Sequence, residues 1–340
     1  MAIIWGRACW SQVFGQALRA AALLAAAGLS CFAAQGPARL EVRVTSPRTD
    51  LLVCEPLVLD VQVRNVGQTD VKQYDMRPGD FGYAISVCVP LGGTVSYQPG
   101  GSGPMRVNVK TVTLRPGETY RHREVIVSFS SFSHFLAQVG TYSVQVSCSP
   151  DGRTESGVQS APLMVDVREP QGLDAAAFEL FEGRRQALFM AGRTDERSMG
   201  EFQLLARDYP RTVYGRYARY YLAKALVAPR PQYAKSPYAK AAVLLEGLVS
   251  EEQAFPLTDQ CMLDLAECYE QTNRKDEARA LLGKLLERFP DSPVAAPAKK
   301  KLDSLQPPTP TPQVPQGVDA KPEPAAAPQP QPDQPPAPGQ

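Results

Sequence analysis

Residues able to do acid–base, nucleophilic or metal chemistry are scarce in this 340-residue chain. There are two histidines, His122 and His134, which leaves little for an imidazole zinc centre or a serine–histidine relay. His122 stands between Arg121 and Arg123 and reads as a solvated strand approach. The cysteines are Cys9, Cys31, Cys54, Cys88, Cys148, Cys261 and Cys268. Cys261 and Cys268 are i,i+7 on an expected helix, about 10.5 Å apart by helical rise and beyond disulfide reach. A Cys88–Cys148 bridge stays open, beside the reading of buried small apolar side chains. The acidic pairs Glu251-Glu252 and Asp276-Glu277 are expected at helix starts, where they would complement the dipole without a catalytic role. No Gly-x-Ser-x-Gly, Walker A loop, Gly-x-Gly-x-x-Gly after a strand, Cys-x-x-Cys or His-Glu-x-x-His occurs. The expectation is a non-enzyme with no cofactor and no metal.

Charge points the same way. Thirty-six Lys and Arg face 35 Asp and Glu, and neither half of the chain has the basic excess of a nucleic-acid binder. Proline is abundant at 32 residues, but 13 of them lie in 306–340. A disordered Pro/Gln/Ala-rich tail is therefore expected over 306–340.

The elements that must position any site begin after a leader. No acid precedes Glu41, Arg7 and Arg19 flank an uncharged stretch, and an apolar run spans Ala20 to Leu29. Small residues follow, through Ala33 and Ala34. This describes a signal peptide over 1–34, cleaved near Ala33 or Ala34, for a secreted or periplasmic protein. A lipid anchor at Cys31 is the alternative. The apolar run is too short for a transmembrane span.

Residues 38–168 alternate apolar and polar with period two, as in Leu40–Val44 and Leu57–Val63. Further runs are 83–89, 106–114, 124–129, 142–148 and 163–167. Turn chemistry separates them, as at Arg115-Pro-Gly117, and seven short strands predict an antiparallel sandwich. Gly140-Thr-Tyr142-Ser-Val144 resembles an immunoglobulin-type tyrosine corner. With Leu114-Arg-Pro-Gly-Glu118 and Val61-Gln-Val-Arg-Asn65, it makes the region similar to bacterial Ig-like and proteinase-inhibitor-like β-sandwich domains. The chain departs from antibody domains at Val144, where a cysteine would stand. The loop 91–104 reads as a hairpin tip, and Phe129 to Phe135 as a plug at the end of the sandwich.

A linker at 169–173 precedes a change to period 3.6. Helices are predicted over 174–191, 195–208, 212–227, 235–250, 257–272, 274–288 and 292–305. Tyr209-Pro210-Arg-Thr212 and Phe289-Pro290-Asp-Ser292 share Pro-x-[Ser/Thr]-x5-Ala-x3-Leu, with Phe255-Pro256-Leu-Thr258 as a looser copy. A unit from Asp259 has Leu265-Ala266, Tyr269, Ala278, Leu282 and Pro290 at repeat spacing. This resembles tetratricopeptide repeats of bacterial envelope proteins, over 174–305. The insertion Pro229–Pro237 and a degenerate first helix pair are departures. The fold class expected is an all-β Ig-like sandwich followed by an all-α tetratricopeptide-like helical repeat array.

The repeat resemblance implies a groove lined by the first helix of each pair. Tyr217, Tyr220 and Lys224 would face it from one helix, and Gln260, Leu263, Glu267 and Glu270 from the next. Packing of the tyrosines on neighbouring helices is the competing reading. The functional expectation is a protein–protein interaction scaffold of the cell envelope. It would hold a protein or peptide partner in the groove, with the sandwich as a second contact. Protease inhibition by the sandwich, or cell-wall polysaccharide binding, are the alternatives.

Overall fold

The computed structural model describes residues 40–74, 83–97, 111–130, 133–134, 136–148, 157–180, 196–228, 237–251 and 255–305. Residues 1–39 and 306–340, which include the stretches read as a leader and a tail, and the internal stretches between these ranges lie outside the described residues. Among these residues, thirteen strands come first: β1 Leu40–Thr45, β2 Asp50–Leu52, β3 Leu57–Asn65, β4 Val71–Tyr74, β5 Tyr83–Cys88, β6 Thr94–Tyr97, β7 Thr111–Leu114, β8 Thr119–Ile126, β9 Ser128–Ser130, β10 Ser133–His134, β11 Gly140–Cys148, β12 Val158–Gln159 and β13 Leu163–Arg168. Seven helices follow among the described residues: α1 Leu173–Glu179, α2 Glu196–Asp208, α3 Val213–Val227, α4 Tyr238–Ser250, α5 Thr258–Gln271, α6 Lys275–Arg288 and α7 Ala295–Leu305.

One sheet runs β1-β3-β8 and another runs β2-β13-β11-β5-β6, with β12 beside β11. All pairings are antiparallel except β13 with β2. Alternation sets the inner faces: Leu57, Leu59, Val61 and Val63 from one sheet meet Ile85, Val87, Val144 and Val146 from the other. At the corner, Tyr142 donates its hydroxyl to the Gln138 carbonyl at 2.9 Å. The β3–β8 ladder continues as β4–β7 beyond Asn65, whose side-chain amide donates to the carbonyls of Thr69 and Leu114. Short strands escaped the periodicity: β2, β4, β9, β10 and β12 have two to four residues. Strand β6 lies inside the stretch read as a hairpin tip, and β9 and β10 pair inside the stretch read as a plug. Cys88 and Cys148 are not joined by a disulfide. Cys148 sits opposite Tyr83 and Cys88 opposite Ser143, five rungs along the same ladder.

The three aromatic-Pro-x-Ser/Thr segments form one repeated turn. The amide of Thr212, Thr258 or Ser292 donates to the carbonyl of the aromatic residue three positions earlier. Thr212 also caps α3, its hydroxyl oxygen accepting from the Gly215 amide at 3.0 Å. Gly215 is required there, because a Cβ would lie 1.9 Å from the Tyr209 carbonyl oxygen.

The two regions share their core. The cluster that fills the space between the sheets continues into Ala177 of α1, Phe202 and Leu205 of α2, and Tyr214, Ala218 and Leu222 of α3. Val58, on the outer face of β3, belongs to a second cluster with Val213, Tyr217, Tyr220 and Phe255. The turn from Val53 to Pro56 keys the junction. Tyr214 donates its hydroxyl to the Val53 carbonyl at 2.7 Å, and Tyr217 to that of Pro56 at 3.3 Å. Cys54 adopts φ 62° to shape this turn, in the left-handed region that non-glycine residues rarely occupy. Next to the apolar contact, Arg123 of β8 donates to both oxygens of Asp60, at 2.6 and 2.8 Å, and to Asp259 of α5. Ser292 donates to the other Asp259 oxygen at 2.5 Å.

Two outcomes follow from this junction. The Arg123 and Asp259 side chains are 9% and 6% exposed. Removing the guanidinium therefore strands two carboxylates. Arg123→Met is expected to cost about 3–5 kcal/mol, read from urea unfolding. Glu55, in the keying turn, is fully buried, with one oxygen accepting from the Leu52 amide at 2.9 Å. Burial pushes its carboxyl up from 4.5 to about 7, against the opposing pull of Arg48. The folded chain thus holds this proton more tightly than the unfolded chain. The contribution is full below pH 4.5 and is lost as pH rises through about 7. The loss is on the order of 3 kcal/mol. Melting temperature should fall across that window, and Glu55→Gln should flatten the fall and melt above the wild type at pH 8.

Candidate interaction face

The helices expected to line a groove are α3, α5 and α7, each starting at one of the repeated turns. Their side chains bridge directly. Lys224 of α3 places Nζ 3.2 Å from Oδ2 and 3.3 Å from Oδ1 of Asp264 on α5. Gln260, one turn before Asp264, donates to its Oδ1 at 3.0 Å. Lys301 of α7 donates to Glu270 of α5 at 2.6 Å. These pairs set the three helices side by side and leave their charged residues along one face.

The seven residues expected to line this face divide into two groups. Tyr217 and Tyr220 are not on an open surface: they are 3% and 7% exposed. Tyr217 packs edge-on against Phe255 at 5.0 Å between ring centres, and its hydroxyl bonds to the β region. Tyr220 stands 5.1 Å from Tyr221 and 6.2 Å from Phe255. The reading that gave these tyrosines to a ligand is corrected here. The β region covers the first turns of α3, and the tyrosines fill that contact. Lys224, Gln260, Leu263, Glu267 and Glu270 keep partial or full exposure. Sequence reasoning missed Asp264, the acid on which Lys224 and Gln260 converge. The i,i+4 spacing from Gln260 was its available signal.

Burial raises the Asp264 carboxyl, and Lys224 partly opposes the shift. Tyr269 donates to Glu246 at 2.9 Å, and Arg274 sits 4.0 Å over the Tyr269 ring. This set holds the α4–α5–α6 packing rather than a ligand. Desolvation pushes the Cys54 and Cys268 thiols up to about 12, which keeps them unreactive at neutral pH. Among the described residues, no group of three His, Cys, Asp or Glu side chains is placed to hold a metal ion. Among them, too, no helix is long and apolar enough to cross a membrane. The face offers cations, carboxylates, an amide and a half-buried leucine, which is chemistry for contact.

Because Tyr217 belongs to the junction, Tyr217→Ala should behave as a core deletion. A loss of about 3–5 kcal/mol is expected in chemical denaturation, whereas Lys224→Ala, whose partner Asp264 keeps the Gln260 hydrogen bond, should cost less than Tyr217→Ala in the same measurement.

No curated protein matches this chain. Among solved structures, a β-glucosidase from Listeria innocua in complex with glucose aligns at 17% identity and a TM-score of 0.24. That alignment covers 38% of this chain and 16% of the enzyme. The CARDB domain of a Pyrococcus furiosus protein, in complex with di-metal ions, aligns at 16% identity and a TM-score of 0.23, covering 38% of this chain and 87% of that one. The sporulation control protein Spo0M from Bacillus subtilis aligns at 12% identity and a TM-score of 0.25, covering 42% and 54%. Likenesses at these scores support no statement about activity, and the chain spans only 16% of the length of the glucosidase. The tetratricopeptide repeat family model matches residues 233–302, the region containing α4, α5, α6 and most of α7.

Proposed function

We propose that this protein is a non-enzymatic interaction scaffold that holds a partner polypeptide along the α3–α5–α7 face. The observation that carries the reading is the row of exposed Lys224, half-buried Leu263 and exposed Glu267 beside the Lys224–Asp264 and Lys301–Glu270 bridges, in which Leu263, Glu267 and the bridge partners on α5 and α7 lie within the matched residues 233–302. Paired charges at the rim and a leucine among them fit an extended segment. Such a segment would exchange side-chain contacts without deep burial. The Tyr142 corner supports an Ig-like character for the β region, and the leader supports a destination in the cell envelope. Mass measurement of the mature chain should give an N-terminus at Ala34 or Gln35; a start at Cys31 carrying acyl mass would support the lipid anchor instead.

The face is tested by site-specific photocrosslinking of the full chain. A benzophenone side chain at Glu267 should yield a discrete adduct, while the same probe at Lys284, exposed on α6, should not. Glu267→Arg should remove capture without shifting the melting temperature. Identical adducts at both positions, or capture undisturbed by Glu267→Arg, would remove the face from consideration.

A further inference from the structure

Among the described residues, the junction leaves part of the outer face of the β1-β3-β8 sheet uncovered, and its registers sort that face into rows. Val58 and Val125 form the row packed against the helices. Thr45, Asp60 and Arg123 form the next, locked to Asp259. Arg43, Gln62 and Arg121 form the third, and Glu41, Arg64 and Thr119 the fourth. Beside the second and third rows opens a cleft of about 540 Å³, walled on its far side by the repeated turns Phe255-Pro256 and Phe289-Pro290. Arg288 stands at its edge, 5.1 Å over the Phe289 ring, and Arg48 lines it from the β1–β2 connection.

The charges do not balance. Arg123 is saturated by Asp60 and Asp259. Around it the mouth and the open rows hold Arg43, Arg48, Arg64, Arg121 and Arg288. Arg48 is paired with Glu55 and Arg121 with Asp291, each at 3.4 Å, which leaves Arg43, Arg64 and Arg288 with exposed Glu41 opposite Arg64 and exposed Glu287 beside Arg288 in sequence. Clustered arginines on one face repel one another unless an anion is brought to them, and guanidinium favours carboxylate geometry. The cleft adds what a simple polyanion does not need: apolar walls of phenylalanine and proline at a domain junction.

We propose that this cleft and the arginine rows beside it form a docking site for an acidic polypeptide segment, with an apolar side chain inserted between the Phe289-Pro290 turn and the sheet. Its carboxylates lie along the Arg43 and Arg64 rows. The site rests on the reading that the protein works by contact, but it lies on a different face from Glu267, so the two fail separately.

The test uses the full chain and a fluorescein-labelled peptide, Glu-Glu-Leu-Pro-Phe-Glu-Glu, beside a twin with lysine at every glutamate. Fluorescence anisotropy should show saturable binding of the acidic peptide alone, weakening as salt is raised. The double variant Arg43→Glu/Arg64→Glu, both on exposed positions, should weaken it by about tenfold or more at an unchanged melting temperature. Glu267→Arg should leave it intact. Binding of both peptides alike, no saturable binding, or undiminished binding to the double variant overturns the proposal. So does preference of the same arginines for a single-stranded DNA oligonucleotide or phosphatidylglycerol vesicles, which would mean a polyanion site without an apolar anchor.

Discussion

Arg123 is the side chain on which the arrangement turns. It projects from an edge strand of one sheet, spans Asp60 on the neighbouring strand, and reaches Asp259 in the first turn of α5. A guanidinium with little access to water must find carboxylates, and here they come from two regions of the chain 199 positions apart by number. Coulombic attraction alone would not hold the regions together. The ion pairs lie beside a dry contact in which Val58, Val213, Tyr217 and Phe255 exclude water. Burial strengthens the pairing, and the pairing fixes the register of the apolar contact.

This junction decides which helical surface stays exposed among the described residues. Helix α3 has no exposed tyrosine face at its start, because two of its tyrosine hydroxyls bond to the Val53–Pro56 turn and the rings fill the contact. The available face begins one turn later, at Lys224, and runs across α5 to the Glu270–Lys301 bridge. The junction also forms the arginine-rimmed cleft, since neither the sheet nor the repeated turns would enclose that volume alone.

Much of the fold was legible in the residues. Alternation at Leu57–Val63 marked β3, and the Pro-x-[Ser/Thr] spacing marked three helix starts, because both depend on neighbours a few residues away. The short strands β2, β4 and β6 were not legible, as a few residues cannot display a period. One signal went unused: Leu57-Val58-Leu59 breaks the alternation. Three apolar residues in succession mean a strand covered on both faces, and Val58 is the residue that the helical region covers. The stripe of Tyr217, Tyr220 and Lys224 was read as a unit, whereas burial falls away along it.

The sequence by itself determined the local elements, the repeat spacing in the second half and the thinness of any catalytic inventory. Each of these is written in residue type and short-range periodicity. Only the tertiary structure decided that the two regions share a core, that Tyr217 and Tyr220 are structural, and that Arg123 and Asp259 meet. Those outcomes depend on which outward-facing side chains of one region complement those of another. Such complementarity is a matter of shape and charge across distant segments, and helical or strand periodicity carries no record of it.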